Sequence, residues 1–537
     1  MVEKSQRDFD FIIIGSGAGG AVVANRVSEN PRHSVLLIEA GGKDLNPIHL
    51  VPKGFYFTMN NPRTSQSYTT EPYGDGMTGT WPRGRVLGGS TTINGMVWNR
   101  GWAPDYDAWE KLGLKDWNWD RFLTAFKQLE DHELGPSATR GVGGPVKISI
   151  TSPPEQASDA FIEAMGKHGI GFVRDPNGSD DERVGYVASS IKRGTRMSAA
   201  RSFLKPARRR KNLTIVTHTY VESLILDGTR VVGVRGRHKG NEVTYRARKE
   251  VIVSGGPLES PQLLERSGIG RPEVLRAAGI PVVVSSPKVG ENLREHRGLM
   301  LQVRLKDVAG FNKQASSFPR QMWAGFKYLF TRDGLIAHGG YNIVAAYKSD
   351  PASPRPDTHA FFTPISTSAV SPTSGRLVVD KFPGARFIVS PTFPTSQGSI
   401  HVTGPKAADA PRIVPNYVST DHDRDIIPKV LTKAREILAT EPFSRYVAEE
   451  LEPGPQLIDD VVRYTINNGV AGIHTLGTCA IGPDDDDVLD ERLRVRGIDN
   501  LRVVDSSVFP QMPSGNCSAP TQALAWIAGD IILADNA

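Results

Sequence analysis

Cysteine is nearly missing from this chain: its 537 residues hold two, Cys479 and Cys517, far apart in sequence. That leaves no disulfide framework and suits a reducing compartment. Cys and His residues at metal-ligand spacing are also missing, so no metal is expected. Nor does the opening carry a long apolar run. The first such segment, Phe11-Ile12-Ile13-Ile14, is short and runs straight into glycines. It reads as a buried strand rather than a signal peptide or a membrane span, and the expected location is cytoplasmic. Charge of a single sign is lacking as well. The net charge is +6, but acids and bases are interspersed along the whole length, which argues against a nucleic-acid partner. The densest basic run, 205–211, reads as a solvated loop leading into a strand, and the acidic run 484–487 as a surface loop. Internal repeats and low-complexity segments are absent.

What remains is the composition of an ordinary soluble protein, 39% hydrophobic and 23% charged. Its length exceeds what one hydrophobic core usually supports, so two domains or one enlarged α/β domain are expected. The opening carries the first chemical signal. The strand Phe11-Ile12-Ile13-Ile14 ends in Gly15-Ser16-Gly17-Ala18-Gly19-Gly20, a small apolar helical segment follows, and a second strand, Val35-Leu36-Leu37-Ile38, ends in Glu39. This is a βαβ unit with glycines at 15, 17 and 20. Gly15 allows the tight strand-to-helix turn. Gly17, with Ala18 beside it, lets backbone approach a pyrophosphate, and Gly20 lets the helix pack on the strand. The helix N-terminus supplies free N–H groups and positive potential. Glu39 suits hydrogen bonds to an adenosine ribose. On these residues alone the dinucleotide is FAD or NAD.

Further motifs separate the two. The stretch Trp81-Pro82-Arg83-Gly84-Arg85-Val86-Leu87-Gly88-Gly89-Ser90-Thr91-Thr92-Ile93-Asn94-Gly95 resembles the first signature of the glucose–methanol–choline oxidoreductases. Ser254-Gly255-Gly256-Pro257-Leu258-Glu259-Ser260-Pro261 is similar to the second. Val289-Gly290-Glu291-Asn292-Leu293 with His296 resembles a third stretch, where Glu295 replaces the usual Asp, and 474–530 is similar to the family's closing segment. The resemblance implies an α/β protein: a Rossmann-type FAD-binding domain interleaved with an α+β substrate domain built on an antiparallel sheet. It places FAD-binding parts at 1–150, 201–300 and 456–537, and substrate-domain parts at 151–200 and 301–455. The segments 301–305 and 398–402 alternate like half-buried strands, in keeping with such a sheet. Gly88, Gly89, Ser90, Asn94 and Gly95 are implied to contact FAD, Val221 to hold the adenine through its backbone, and Asp505 with Ser506 to hold the ribityl side. Some family members attach FAD through a His at the position of Ile93, so noncovalent FAD is expected here.

Near the end, 500–504 reads as a buried strand, Phe509 to Gly515 as a loop, and Pro520-Thr521 as the opening of an amphipathic helix. In the family that helix points at the pyrimidine side of the flavin, where the reduced ring is anionic and a helix N-terminus is stabilising. His474 stands at the family's catalytic histidine. Oxidising an alcohol requires a base for the hydroxyl proton while flavin accepts a hydride, and His is the usual base. The family's Asn-x-Asn-x-Pro-Thr is here Asn516-Cys517-Ser518-Ala519-Pro520-Thr521, which puts Ser518 at the second catalytic position and Asn516 at the earlier one. Ser518 then serves through a shorter reach or a water, or Asn516 swings in to assist, or the substrate needs little help there. Cys517 reads as a small packing residue. The implied reaction takes a small-molecule alcohol, an aromatic or furanic primary alcohol being the guess, with oxygen or another electron acceptor. The departure at Ser518 keeps a non-redox or photochemical enzyme on the same scaffold, of hydroxynitrile lyase or fatty-acid photodecarboxylase type, as the alternative.

Overall fold

The computed structural model describes residues 7–150, 154–370 and 377–537. Phe11 to Ile13 and Val35 to Leu37 are completely buried, and this burial explains their unbroken apolar sequence, because a parallel strand covered on both faces needs no polar side. Strand Arg7–Ile14 lies between Val35–Ile38 and Asn241–Val253, parallel to both. Leu213–Val216 extends the sheet beyond Val35–Ile38, and Leu501–Val503 joins the end of Asn241–Val253, again parallel. A hairpin, Thr219–Asp227 and Arg230–His238, pairs antiparallel with the start of Asn241–Val253. All the parallel strands end at one edge, where Gly15, Glu39, Ser254 and Val504 leave the sheet.

A second sheet is antiparallel. Its order is Val447–Glu452, Arg297–Leu305, Gly384–Pro391, Thr358–Thr363, Ile343–Tyr347 and Arg183–Tyr186, with the short Gly171–Phe172 running parallel beside the last. Helices Gln156–Lys167 and Asp421–Leu438 pack in its core. There Phe161 stacks on Phe362 at 4.1 Å and meets Phe387 and Phe443 edge-on. Tyr68, Trp81 and Val461 belong to this second core too. The chain thus passes back and forth between the sheets. The expected boundary at 151 lies outside the described residues.

Three expectations are corrected. The segment 301–305 is not half-buried: Leu301, Gln302, Val303 and Leu305 are all buried, and Gln302 is accommodated because its Oε1 accepts the Thr367 N–H at 3.0 Å. The last helix, Ser518–Asp535, starts before Pro520 and is buried on most sides rather than amphipathic, because it is wedged between helices Gly20–Val27 and Trp119–Leu129. The basic run is no plain loop. Lys205–Ala207 is a helical turn, and the Arg210 guanidinium donates to Asn25 O and to Ser28 Oγ.

The last helix is tied to the sheet by one arginine. Arg502, whose side chain is 2% exposed, donates to Glu250 at 2.6 and 3.1 Å, to Asp535 at 2.6 Å and to Arg492 O at 2.6 Å. Arg502→Met would leave Glu250 with Asn536 Nδ2, while Asp535 keeps Arg492 and Arg494. A cost of about 3 kcal/mol is expected, at the low end for a broken buried pair because both acids keep other partners. A melting temperature equal to wild type, followed by circular dichroism, would show that the network does not hold the helix.

Candidate active site

The first loop is built from positions that only glycine fits. Gly15 has φ +94°, and a Cβ there would lie 2.3 Å from Ser254 O; at Gly20 it would lie 2.0 Å from Gly15 O. At Gly17, by contrast, a Cβ would meet no protein atom within 4 Å, and the same holds at Gly256. Gly89 lies so close to Gly17 that its Cβ would be 2.8 Å from the Gly17 Cα. Among the described residues, the N–H groups of Gly17, Ala18 and Gly19 have no protein acceptor. A glycine-walled cradle with free N–H donors at a helix start fits a pyrophosphate.

Glu39 is buried. Its Oε2 accepts from Ser16 N at 3.1 Å and Ser16 Oγ at 2.5 Å, and its Oε1 from Gly41 N at 2.8 Å. Burial raises its pKa while these donors lower it. Oε1 retains acceptor capacity for a sugar hydroxyl. Ser16 Oγ also accepts the Gly88 N–H at 3.1 Å, so one hydroxyl joins the phosphate loop, the ribose acid and the first signature. Val221 lies two residues beyond Thr219, whose N–H donates to Glu39 O at 3.0 Å. In the signature loop Ser90 Oγ accepts the Gly84 N–H at 3.0 Å, and Asn94 Oδ1 accepts from Met96 N at 3.1 Å and from the buried Arg196 at 2.9 Å. Gly95 leaves room, its nearest Cβ neighbour being Gly340 Cα at 3.9 Å. Asp505 Oδ2 accepts from Gly256 N at 2.8 Å and Ser260 Oγ at 2.6 Å, and Oδ1 from Ser507 N at 2.7 Å. Ser506 Oγ donates to Thr475 O at 3.3 Å. These residues line one edge of the parallel sheet, and an FAD fits them.

His474 is held from three sides. Its Nδ1 faces His296 Nδ1 at 3.0 Å, and His296 Nε2 faces Thr392 O at 3.2 Å. A carbonyl only accepts, so His296 carries its proton on Nε2 and its Nδ1 accepts from His474 Nδ1–H. His474 Nε2 is therefore the unprotonated nitrogen, and it accepts Asn516 Nδ2–H at 2.8 Å. Burial, then His296, His359 and Arg83, push the His474 pKa well below the ordinary value, which keeps the ring neutral. Burial likewise takes His296 down to about 4. Ser518 is not brought to this histidine; its Oγ accepts from Gln522 Nε2 at 3.3 Å within the helix. Pro520 is buried in the first turn, and Thr521 Oγ1 donates to Cys517 O at 2.7 Å. Cys517 is packed, with its thiol 3.6 Å from His474 O.

The backbone before His474 is strained. Ile473 has φ +58°, a left-handed conformation that a β-branched residue adopts at a cost of about 1–3 kcal/mol. Two side chains hold it, the half-buried Arg83 and the buried Glu295. Arg83 donates to Ile473 O at 3.3 Å and to Thr475 Oγ1, and Glu295 Oε1 accepts the His474 N–H at 2.8 Å. A hollow whose roughly 350 Å³ includes open solvent is walled by Val97, Trp98, Asn99, Trp102, Arg183, Val187 and His359 among others; neither His474 nor Asn516 is part of its wall. Asn99 and His359 face each other at 3.2 Å and flank Gly515, the residue before Asn516. Asn99 and His359 had no signal in the sequence. Arg83 and Glu295 stood inside recognisable motifs, yet nothing there pointed to the loop 390 and 179 positions away that they clamp.

Burial raises the Glu295 pKa from 4.5 to about 7. An acid that keeps its proton longer when folded stabilises the fold fully below its unfolded pKa. That contribution is lost as pH rises through about 7. A shift of this size corresponds to about 3 kcal/mol. Glu295→Gln keeps an acceptor for the His474 N–H and removes the titration. The variant's melting temperature, measured against wild type from pH 5 to pH 8, is expected to gain steadily as pH rises. A constant difference across that range would contradict the burial of an ionisable acid here.

Profiles of the GMC oxidoreductase family match residues 9–297 and 394–525. The chain is 36% identical to oxygen-dependent choline dehydrogenase of Vibrio vulnificus (strain YJ016), covering 98% of this chain and 95% of the relative. It is 33% identical to alcohol dehydrogenase (acceptor) of Pseudomonas putida, covering 98% and 96%. Among solved structures, pyridoxine 4-oxidase from Mesorbium loti superposes with a TM-score of 0.85 at 30% identity, covering 97% of this chain and 98% of that one. These likenesses run through both sheets and the cofactor edge, and the chain belongs to the glucose–methanol–choline family of oxidoreductases.

Proposed function

We propose that this enzyme oxidises an alcohol to the aldehyde or ketone, with His474 as the base. The observation that carries the reading is the one-way relay from Asn516 through His474 and His296 to Thr392 O, which leaves His474 Nε2 as a neutral proton acceptor. FAD, when bound, supplies the hydride acceptor. The substrate hydroxyl takes the place of the Asn516 donor at Nε2 and gives its proton there. Asn516, displaced by one hydrogen bond, offers its N–H to the substrate oxygen. In this reading Asn516 fills the second catalytic position and Ser518 does not. Glu295 and Arg83 act through the main chain, holding the imidazole with Nε2 toward Asn516. Oxygen or another electron acceptor closes the cycle.

The cavity wall favours an aromatic or furanic primary alcohol. It is mostly apolar, with Trp98 and Trp102, and its one charged side chain is the cation Arg183. For a quaternary ammonium such as choline the wall offers Arg183, a like charge, and no carboxylate of its own. We read the FAD as noncovalent, since Ile93 offers no nucleophile, and held by the residues from Gly15 to Glu39, Gly88 to Gly95, Val221, Asp505, Ser506 and the helix start at Pro520 and Thr521. We read the chain as FAD-binding segments 1–150, 201–300 and 456–537 and substrate segments 151–200 and 301–455. Cys479 and Cys517, both buried and free, suit the reducing cytoplasm.

The test is anaerobic reduction of the bound flavin, read from its visible absorbance, on adding benzylic, furanic and aliphatic alcohols and choline. An aromatic alcohol should bleach the wild type and choline should not. His474→Ala should retain FAD and slow bleaching by roughly 10²–10⁴-fold. Asn516→Ala should slow it by about tenfold or more, the loss of a charge-assisted hydrogen bond, while Ser518→Ala stays near wild type. Rapid bleaching of the His474 variant would remove the base assignment, and a strong effect at Ser518 alone would move the second role there.

A further inference from the structure

Helix Phe318–Thr331 rests on the protein by one side only. Tyr328 is buried, with its hydroxyl donating to Gly194 O at 2.8 Å, and Ala324 and Gly325 are half-buried beside it. The other side carries Met322, Trp323, Phe326, Leu329 and Phe330, each between 54% and 76% exposed. Their spacing puts them in one stripe along the helix. The rings run in sequence, Trp323 to Phe326 at 5.9 Å and Phe326 to Phe330 at 4.7 Å between centroids. A single exposed leucine is ordinary, but a contiguous row of large apolar side chains marks an interaction site.

Charge indicates what covers it. From Val308 to Arg332 the chain carries Lys313, Arg320, Lys327 and Arg332, all exposed, and no Asp or Glu. A second copy docking on this face would bring the same four cations against these, with Asp307 and Asp333, one at each end of the segment, as the acids nearest in sequence. An apolar, aromatic stripe bordered by lysine and arginine instead complements an anionic phospholipid surface. Acyl chains take the stripe there, and headgroup phosphates take the cations. The helix would lie in the plane of that surface, about 21 Å long; no helix among the described residues is long and apolar enough to cross a membrane. We propose that Phe318–Thr331 is a membrane-docking helix that seats the protein on an anionic phospholipid bilayer. The chain beyond it leads to the cofactor edge. Gly340 donates its N–H to Gly95 O at 3.1 Å, and Lys53 Nζ donates to Gly339 O at 2.6 Å. The docked element is therefore joined directly to the loop read as contacting FAD.

The experiment uses the FAD-loaded enzyme and vesicles of phosphatidylcholine with and without phosphatidylglycerol, separated by sedimentation. Wild type is expected to sediment with the phosphatidylglycerol vesicles and to be released in about 1 M salt, where charges are screened beyond a few ångströms. The double variant Trp323→Ser/Phe330→Ser should lose roughly tenfold or more of that binding, with its FAD content and turnover of a soluble alcohol unchanged. Trp323→Leu should still bind, but its fluorescence should no longer be quenched by lipids brominated in the acyl chain, which locates the contact. The proposal is overturned if wild type stays in the supernatant or if the double variant sediments as wild type does. It is overturned in favour of a second copy if wild type is a dimer in solution that the double variant dissolves.

Discussion

The carboxylate of Asp505 is the contact on which the cofactor edge depends. With its three hydrogen bonds to Gly256 N, Ser260 Oγ and Ser507 N, it fixes the end of strand Leu501–Val503 against the start of helix Glu259–Arg266. Everything downstream is placed from there. The segment 505–508 accepts the N–H groups of Gly477 and Cys479, which sets the strand-like run that begins at His474. The loop after Phe509 then brings Asn516 to His474 Nε2. Burial raises the Asp505 pKa while its donors pull it down, and the satisfied donors are what make an ionised form tolerable inside the protein. A change of one methylene here would move His474 and Asn516 together.

Much of the fold could be read in advance where local pattern and burial agree. The runs at Phe11 and Val35 are apolar throughout because both faces of a parallel sheet are covered, and the glycines at 15 and 20 are demanded by atoms within 3 Å of their absent Cβ. Where tertiary contacts overrode local pattern the reading failed. Gln302 looked like a solvent-facing residue, and a single backbone N–H from Thr367 made its burial acceptable. The last helix looked one-sided because Leu524, Ile527, Ala528 and Ile531 recur at helical spacing, yet its small residues are what allow two helices to close on it from both sides.

The site was legible in part, for the same reason. His474 and Asn516 lie within motifs whose chemistry can be stated from residue type, and the uncertainty between Asn516 and Ser518 was one of reach. In the structure the amide meets the imidazole, and the hydroxyl is bonded within its own helix. Ile473 carried no warning at all, since a left-handed β-branched residue is invisible until the backbone is seen. His359 and Asn99 come from different sheets and loops and meet only in three dimensions.

The interleaving of the chain between two sheets has a consequence for synthesis. Strand Leu501–Val503 completes the nucleotide sheet by joining Asn241–Val253, some 250 positions earlier in the pairing of Val251 with Leu501. A ribosome delivers chain from the N-terminus, so the glycine loop at 15–20 is made long before the segment that closes the site around it. Until Asp505 emerges, Gly256 and Ser260 lack their acceptor and one flank of the sheet lies open. The nascent protein therefore cannot enclose its dinucleotide, and cofactor capture belongs to the finished polypeptide rather than to the growing one.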